Sequence, residues 1–350
     1  MLRRVFLQFL AAGSCQPAFR AFGQSTRAEI DLQKLVTPET RKAVEQGLLY
    51  LQDRQHPDGA FGSGNSYKKN VGVTGLCGLA MLAAGHTPGD GKLGESVDLA
   101  IDYLLSQADG NGFINEPGVQ IHGPMYGHGF AVLFLAEVYG MTKRGDLRSV
   151  LDRAVKLIIA SQNKEGGWRY DPKPVDADIS VTVCQVMALR AARNAGFFVS
   201  KKTIDDAVEY IRKSQNSDGG FRYQMGRQPE SAFARSAAAI VGLQSAGIYE
   251  GPEIERGINY IKRFQPSPKG LQPYQIDHYY YGHYYAVQAM WHVGGEDWAA
   301  WYEAIRDQVL SAQHKLTGGW QDRTICPEYS SAMACLILET PYGFLPIFQK

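Results

Sequence analysis

The chain has no long apolar run. No stretch reaches the roughly 18 residues that a membrane-spanning helix needs, so no transmembrane helix is expected. It also has no excess of charge. Thirty-six Lys and Arg stand against 35 Asp and Glu, a formal net charge of +1, and this gives no reason to expect nucleic acid or another polyanion as a partner. Cysteine is scarce, with five in 350 residues and no C-x-x-C spacing, which argues against a zinc knuckle and a dense disulfide framework. Cys77, Cys184 and Cys335 fall in apolar helical runs, where buried free thiols are common, and Cys326 falls in a linker. There is no P-loop, no Rossmann glycine pattern after a strand, no G-x-S-x-G and no H-E-x-x-H. The rest of the composition, 45% hydrophobic and 20% charged, is that of an ordinary globular chain.

The first two dozen residues read as a targeting segment. Arg3 and Arg4 precede a short apolar core, Val5–Gly13, and Ala21-Phe22-Gly23 is a small-x-small cleavage candidate. RRVFLQFLAAG is similar to a twin-arginine export signal, so residues 1–24 are expected to direct the chain to the periplasm or the exterior. An ordinary secretory signal is the plainer reading of the same residues. Ala12-Gly13-Ser14-Cys15 is a weak match to a lipoprotein box, which would anchor lipid at Cys15.

What the chain does have is a repeat. Six segments each end an amphipathic helix in Gln and then turn: LQDRQHPDGAFG (51–62), SQADGNGFI (106–114), SQNKEGGWRY (161–170), SQNSDGGFRY (214–223), FQPSPKGLQPY (264–274) and AQHKLTGGWQD (312–322). Taking Gln52, Gln107, Gln162, Gln215, Gln265 and Gln313 as anchors gives spacings of 55, 55, 53, 50 and 48. The fifth unit is degenerate, with Lys269-Gly270-Leu271 in place of Gly-Gly-aromatic. A period near 50 over nearly the whole chain indicates stacked supersecondary units.

Each turn follows a helix with one apolar stripe, as at Ile204, Ala207, Val208 and Ile211. Each precedes a helix that is apolar nearly all round, such as Val71–Ala84, Phe130–Tyr139 and Ala237–Ala246, and helices of that kind are buried. Thr37-Pro38-Glu39 reads as a helix start. Gly85, Gly140, Gly196, Gly247 and Gly294 read as left-handed helix stops. An open stack would leave two apolar ends, and closure into a ring removes them. The expected fold is therefore all-α: a six-hairpin α/α toroid, an (α/α)6 barrel with inner and outer helix rings, forming a single domain over 36–350.

The recurring Q-x3-GG-[WF] resembles the QW-type repeat of squalene and other terpenoid cyclases and of protein prenyltransferase β subunits, and the resemblance covers about residues 40–340. MYGHGFAV (125–132), DISVTVCQVMALRAARNAG (178–196), YYAVQAMWHVGG (284–295) and PYGFLPIFQK (341–350) resemble a bacterial exported branch carrying this repeat. The resemblance implies an isoprenoid- or terpenoid-handling enzyme, isomerase- or cyclase-like, with an isoprenoid or other apolar small molecule as partner. No cofactor is expected.

Asp176-Ala177-Asp178-Ile179 approaches the D-x-D-D acid motif of class II terpenoid cyclases, which protonate an alkene or epoxide. By that resemblance Asp178 stands at the proton-donor position, while Ile179 replaces the final Asp. The plainer role for Asp176 or Asp178 is a helix cap. Matched without gaps, the inner-helix starts place His128, Asp178 and His283 at one equivalent position, near one rim of the cavity. The two histidines share a Tyr-Gly-His with Tyr126 and Tyr281. Asp178, Thr182 and Gln185 share one helical face. Tyr280, Tyr284 and Trp291 make an aromatic stripe beside Tyr281, suited either to packing or to lining a cavity that stabilises a cation.

No metal is expected. A prenyltransferase-type zinc site would need Asp-x-Cys, and Asp178 and Cys184 are six apart. A shared site of His128, His283 and Asp178 is a further arrangement to test. Two other functions remain open. One is a non-catalytic toroid binding a ligand or protein partner. The other is a polysaccharide-active barrel with a carboxylate pair drawn from Asp176, Asp178, Glu230 and Glu328. The apolar Tyr342–Phe348 reads as a tail docked on the barrel.

Overall fold

A computed structural model of the chain describes residues 35–116, 123–227, 229–267 and 276–349. The export segment, Cys15 and the fifth turn at Lys269-Gly270-Leu271 lie outside the described residues.

Outer and inner helices alternate along the chain. The outer helices are α1 (Pro38–Arg54), α3 (Gly91–Ser106), α5 (Asp146–Ala160), α7 (Lys201–Lys213), α9 (Pro252–Ile261) and α11 (Gly295–Ala312). The inner ones are α2 (Val71–Ala83), α4 (Pro124–Tyr139), α6 (Ile179–Asn194), α8 (Phe233–Ser245), α10 (Tyr279–Val293) and α12 (Pro327–Glu339). The outer helices start on local signals. The Thr37 hydroxyl accepts from the Thr40 amide at 3.2 Å, and Ser200 does the same for Thr203 at 3.1 Å. Their burial follows the apolar stripe: Ile204, Ala207, Val208 and Ile211 are the apolar contacts of α7, with Tyr210 beside them. In α2 every residue is buried, and in α6 every residue from Ile179 to Ala192.

Successive inner helices pack against one another, and α12 packs back on α2, so the inner ring closes. The outer ring closes as α1 packs against α11 and α12. The fold is an all-α toroid, as the repeat implied.

Glutamine staples join neighbouring units. The Gln162 amide donates to Gly166 O (2.8 Å) in its own turn and to Thr203 O (2.9 Å) on the next outer helix. Gln215 bridges Gly219 O and Glu253 O in the same way. Gln313 bridges Gly318 O and Ala43 O, tying the last turn to the first helix. In the first unit the staple is Gln55, which bridges Gly59 O (3.0 Å) and Ser96 O (2.9 Å), so the anchor expected at Gln52 is corrected by three residues. Gln55 stands four residues before Gly59, the same step as Gln162–Gly166 and Gln215–Gly219, whereas Gln52 stands seven before it. Gly166 shows why that position is glycine. Its φ is +96°, and a Cβ there would lie 2.1 Å from Asp206 O on the next helix.

Gly85, Gly196 and Gly247 end α2, α6 and α8 at φ of 94°, 91° and 94°. Gly140 does not: it closes α4 in a right-handed conformation at φ −78°. Gly294 combines φ 71° with an extended ψ of −165°, because it ends α10 and begins α11 at once. The tail docks over the C-terminal ends of the inner helices. Leu345, Ile347 and Phe348 are buried, Trp291 Nε1–H donates to Phe348 O (3.1 Å), and the Arg190 guanidinium donates to Gln349 O. Among the described residues no helix is long and apolar enough to cross a membrane.

Candidate functional site

A cavity of about 440 Å³ lies at the N-terminal ends of the inner helices, the end of the ring away from the docked tail. That volume falls within the range of roughly 300–1,000 Å³ usual for small-molecule sites. Residues of all six inner-helix starts reach it, among them Val71, Tyr126, Ser180, Ala234, Tyr281 and Tyr329. The ring brings these distant positions together because its inner helices run side by side with their starts at one end.

The wall is rich in tyrosine. Tyr67, Tyr126, Tyr170, Tyr223, Tyr281 and Tyr329 all line it, with Phe130 and Leu76 between them. Tyr170 and Tyr223 follow the turn aromatics Trp168 and Phe221 by two residues, and their hydroxyls meet at 2.5 Å across two units. The Arg169 guanidinium stacks on both rings, 4.6 Å from Tyr170 and 5.5 Å from Tyr223.

Besides the tyrosines, Asn70, Asn115, Glu116, Ser180, Arg235 and His278 bring polar groups to the wall. Glu116 is 9% exposed and accepts from Asn70 Nδ2 (2.6 Å) and the Val71 amide (3.1 Å). Burial raises its pKa, against the lowering effect of those bonds. Arg235 on α8 donates to Phe221 O (3.0 Å) and Glu230 O (2.5 Å). His278 precedes α10 with φ 58° and ψ 29°, a left-handed backbone on a non-glycine residue, of the kind that concentrates at functional sites. Among the described residues that line the cavity, Glu116 is the only carboxylate.

Asp178 does not line the cavity; it caps α6. Its Oδ1 accepts from the Ser180 and Val181 amides, both at 2.9 Å. Its side chain is fully buried, and its Oδ2 lies 3.8 Å from Arg169 Nε. Burial pushes its pKa up to about 6, while the Val181 amide and Arg169 pull it down. Asp176 is exposed and lies 3.7 Å from Arg169 Nη1.

The equivalence expected of His128 and Asp178 is corrected by one helical turn. In five units the inner helix accepts the backbone N–H of the buried turn residue. The pairs are Phe61 with Thr74, Ile114 with His128, Trp168 with Thr182, Phe221 with Ser236 and Trp320 with Ser331, at 2.8–3.1 Å. His128 is therefore the counterpart of Thr182, and Asp178 stands a turn earlier. The ungapped match failed because α6 starts behind a side-chain cap whereas α4 starts on Pro124 with none.

His128 Nδ1 accepts from the Ile114 amide, so Nε2 carries the hydrogen and faces Ala154 O at 3.4 Å; burial lowers its pKa to about 4. His283 is packed among the rings of Phe233, Tyr279 and Trp301, and burial lowers its pKa to about 3. Among the described residues no three His, Cys, Asp or Glu side chains converge on a metal position, so a shared His128–His283–Asp178 site is not assembled.

Tyr126 and Tyr281 line the cavity. The other expected lining residues point elsewhere. Thr182 binds the Trp168 amide, and the Gln185 amide donates to Met125 O (2.8 Å) on α4. Tyr280 and Tyr284 are buried in packing, and Trp291 holds the tail. Glu328 is 1% exposed, bonded to Arg54 (2.6 Å) and Ser63 Oγ (2.8 Å), and those bonds hold its pKa below the usual range despite its burial. It clamps the first helix to the last. Cys77, Cys184, Cys326 and Cys335 are free and buried. Of the wall residues that the sequence did not single out, Tyr170 and Tyr223 had a signal in the Arg-Tyr that follows Trp168 and Phe221 in the third and fourth turns; Glu116, Arg235 and His278 had none.

The squalene–hopene cyclase C-terminal domain family matches residues 108–276. A probable squalene–hopene cyclase of Sinorhizobium fredii is 29% identical over 145 residues, which cover 38% of this chain and 21% of that protein. The drimenyl diphosphate synthase of Streptomyces showdoensis is 24% identical over 193 residues, covering 55% and 34%. The chain thus spans between about a fifth and a third of the length of these relatives. Among solved structures, a variant of the type II terpene cyclase MstE from Scytonema, in complex with geranylgeranyl dihydroxybenzoate, superposes with a TM-score of 0.62 at 15% identity. That match covers 90% of this chain and 100% of that one. An inactive variant of an α-1,6-mannanase from a Salegentibacter species, in complex with α-1,6-mannotriose, superposes with a TM-score of 0.64 at 9% identity, covering 87% and 99%. At such identities the superpositions speak for the fold alone, while the sequence matches are to terpenoid cyclases. Over residues 108–276 the chain is similar to the squalene–hopene cyclase C-terminal domain family, and its fold is that of a terpene-cyclase-type α/α toroid.

Proposed function

We propose that the chain is an isoprenoid- or terpenoid-handling protein whose ligand lies in the tyrosine-walled cavity at the N-terminal end of the inner ring. The observation that carries this reading is the wall itself: six tyrosines, with apolar side chains such as Val71, Leu76, Phe130 and Ile325 between them. Such a wall offers apolar contact along a chain of carbon atoms, and ring faces to any cation formed on it. The polysaccharide reading loses support, because a glycosidase needs two facing carboxyl groups. Here Glu328 is locked to Arg54, Asp176 and Glu230 are exposed, and Glu116 stands alone on the described wall.

Acid-initiated turnover by Asp178 is a second reading. It is favoured by a carboxyl that burial holds near a pKa of about 6, close behind the wall at Ser180. In that reaction the O–H bond of the Asp178 carboxylic acid would break, its proton would form a new C–H bond at an alkene carbon, and the carbocation left facing the tyrosines would be discharged by losing a proton or adding water. The experiment is a titration of the purified chain with isoprenoids of increasing length, read by intrinsic fluorescence, with product analysis of the same samples. Saturable binding is expected, and Ala232→Phe, which fills the cavity, should weaken it at least tenfold. Equal binding by that variant would move the ligand elsewhere. Product formed by the wild type and abolished in Asp178→Asn would establish the second reading; product formed equally by both would remove Asp178 from it.

A further inference from the structure

We propose that Glu116 is the polar anchor of the cavity and that it selects an isoprenoid carrying a neutral hydroxyl head over one carrying a carboxylate or diphosphate. This rests on the isoprenoid reading above and adds the head group.

Glu116 is held rigidly. The Asn70 side chain has its Oδ1 occupied by the Gly72 and Val73 amides, both at 3.0 Å, which fixes its NH2 toward Glu116 Oε1. Glu116 Oε2 takes the Val71 amide at the start of α2. The positive end of that helix favours a carboxylate at this place. Among the described residues no Lys, Arg or His forms an ion pair with Glu116.

A carboxylate has about four lone-pair positions, and the two bonds made among the described residues leave acceptor capacity on a group that lines the cavity. A buried acceptor is stabilised by a donor, which a hydroxyl supplies and an ionised head does not. An anionic head beside Glu116 would also meet like-charge repulsion in a poorly hydrated space. Arg235, the cation of the wall, belongs to α8, where two of its five N–H donors are taken by the Phe221 and Glu230 carbonyls. Within a closed ring of six inner helices, α8 stands across from α2, so Arg235 is not placed to neutralise Glu116.

The test uses the full chain and three probes of one length: a C15 isoprenoid alcohol, its carboxylic acid and its diphosphate, titrated by calorimetry at pH 8. The alcohol should bind at least tenfold more tightly than either anion. Glu116→Gln, which keeps the shape and the Val71 bond, should weaken the alcohol several-fold and strengthen both anions, so that the preference collapses. Unfolding of the variant, followed by circular dichroism, serves as the control for a merely structural role. A lower midpoint with the head-group preference intact would overturn the proposal, and so would an anion binding more tightly than the alcohol to the wild type. Failure of all three probes to bind the wild type would overturn the isoprenoid reading beneath it.

Discussion

A carboxyl that is fully buried and yet bonded to two helix amides is pulled in opposite directions. At Asp178 burial raises the pKa to about 6, and the cap bonds and Arg169 oppose it. The unfolded chain would titrate this group near 3.8. Between those values the folded state holds a proton that the unfolded state has released. The contribution of Asp178 to stability is therefore complete below pH ~4 and is lost as pH rises through about 6. Asn caps a helix as well as Asp and has no charge to desolvate. Asp178→Asn should thus be more stable than the wild type at pH 7.5, by up to about 3 kcal/mol, and close to it at pH 4. Urea unfolding at the two pH values measures this. An equal difference at both would mean that Asp178 does not change its proton in this range. Asp178 also shows how far a residue can be read from sequence: both the cap and the acid were visible as roles, but the choice between them depends on Arg169 and on the depth of burial.

At the scale of elements, the turn between outer and inner helix does most of the joining. Trp168 is fully buried, donates from Nε1 to Ile158 O (2.7 Å) and receives its place from Thr182 through its own amide. Trp168→Ala removes that contact and leaves a cavity, and it should destabilise the chain by roughly 3–5 kcal/mol in chemical unfolding. A loss near zero would show that the staple is not a source of stability. These elements were legible because glutamine, glycine and aromatic recur at nearly constant spacing and because the helices differ in how many of their faces are apolar. The register within a unit was less legible. Gln52 and Gln55 both precede the first turn, and only the bonds to Gly59 and Ser96 decide between them. His128 was placed a turn off for a related reason. Its neighbours in the repeat are Thr74, Thr182, Ser236 and Ser331, and an imidazole accepting the amide bond usually given to a hydroxyl hides the equivalence.

At the scale of the whole molecule, ring closure makes the site. The bonds from Gln313 to Ala43 and from Glu328 to Arg54 join the last unit to the first. With the tail over the opposite end, a cavity is left where the inner helices start. The toroid was legible from the period, while the cavity wall mostly was not. Glu116 and His278 come from two connections and Arg235 from the first turn of α8, and they share one cavity only because the ring closes. The central claim is that an isoprenoid occupies this wall. It is tested most directly by photo-crosslinking the full chain with a benzophenone-bearing C15 isoprenoid and mapping the adducts by peptide mass spectrometry. Adducts on the segments that carry Tyr126, Phe130 and Tyr281, competed away by unlabelled isoprenoid, are the predicted result. Adducts confined to outer-helix peptides, or insensitive to competitor, would contradict the account.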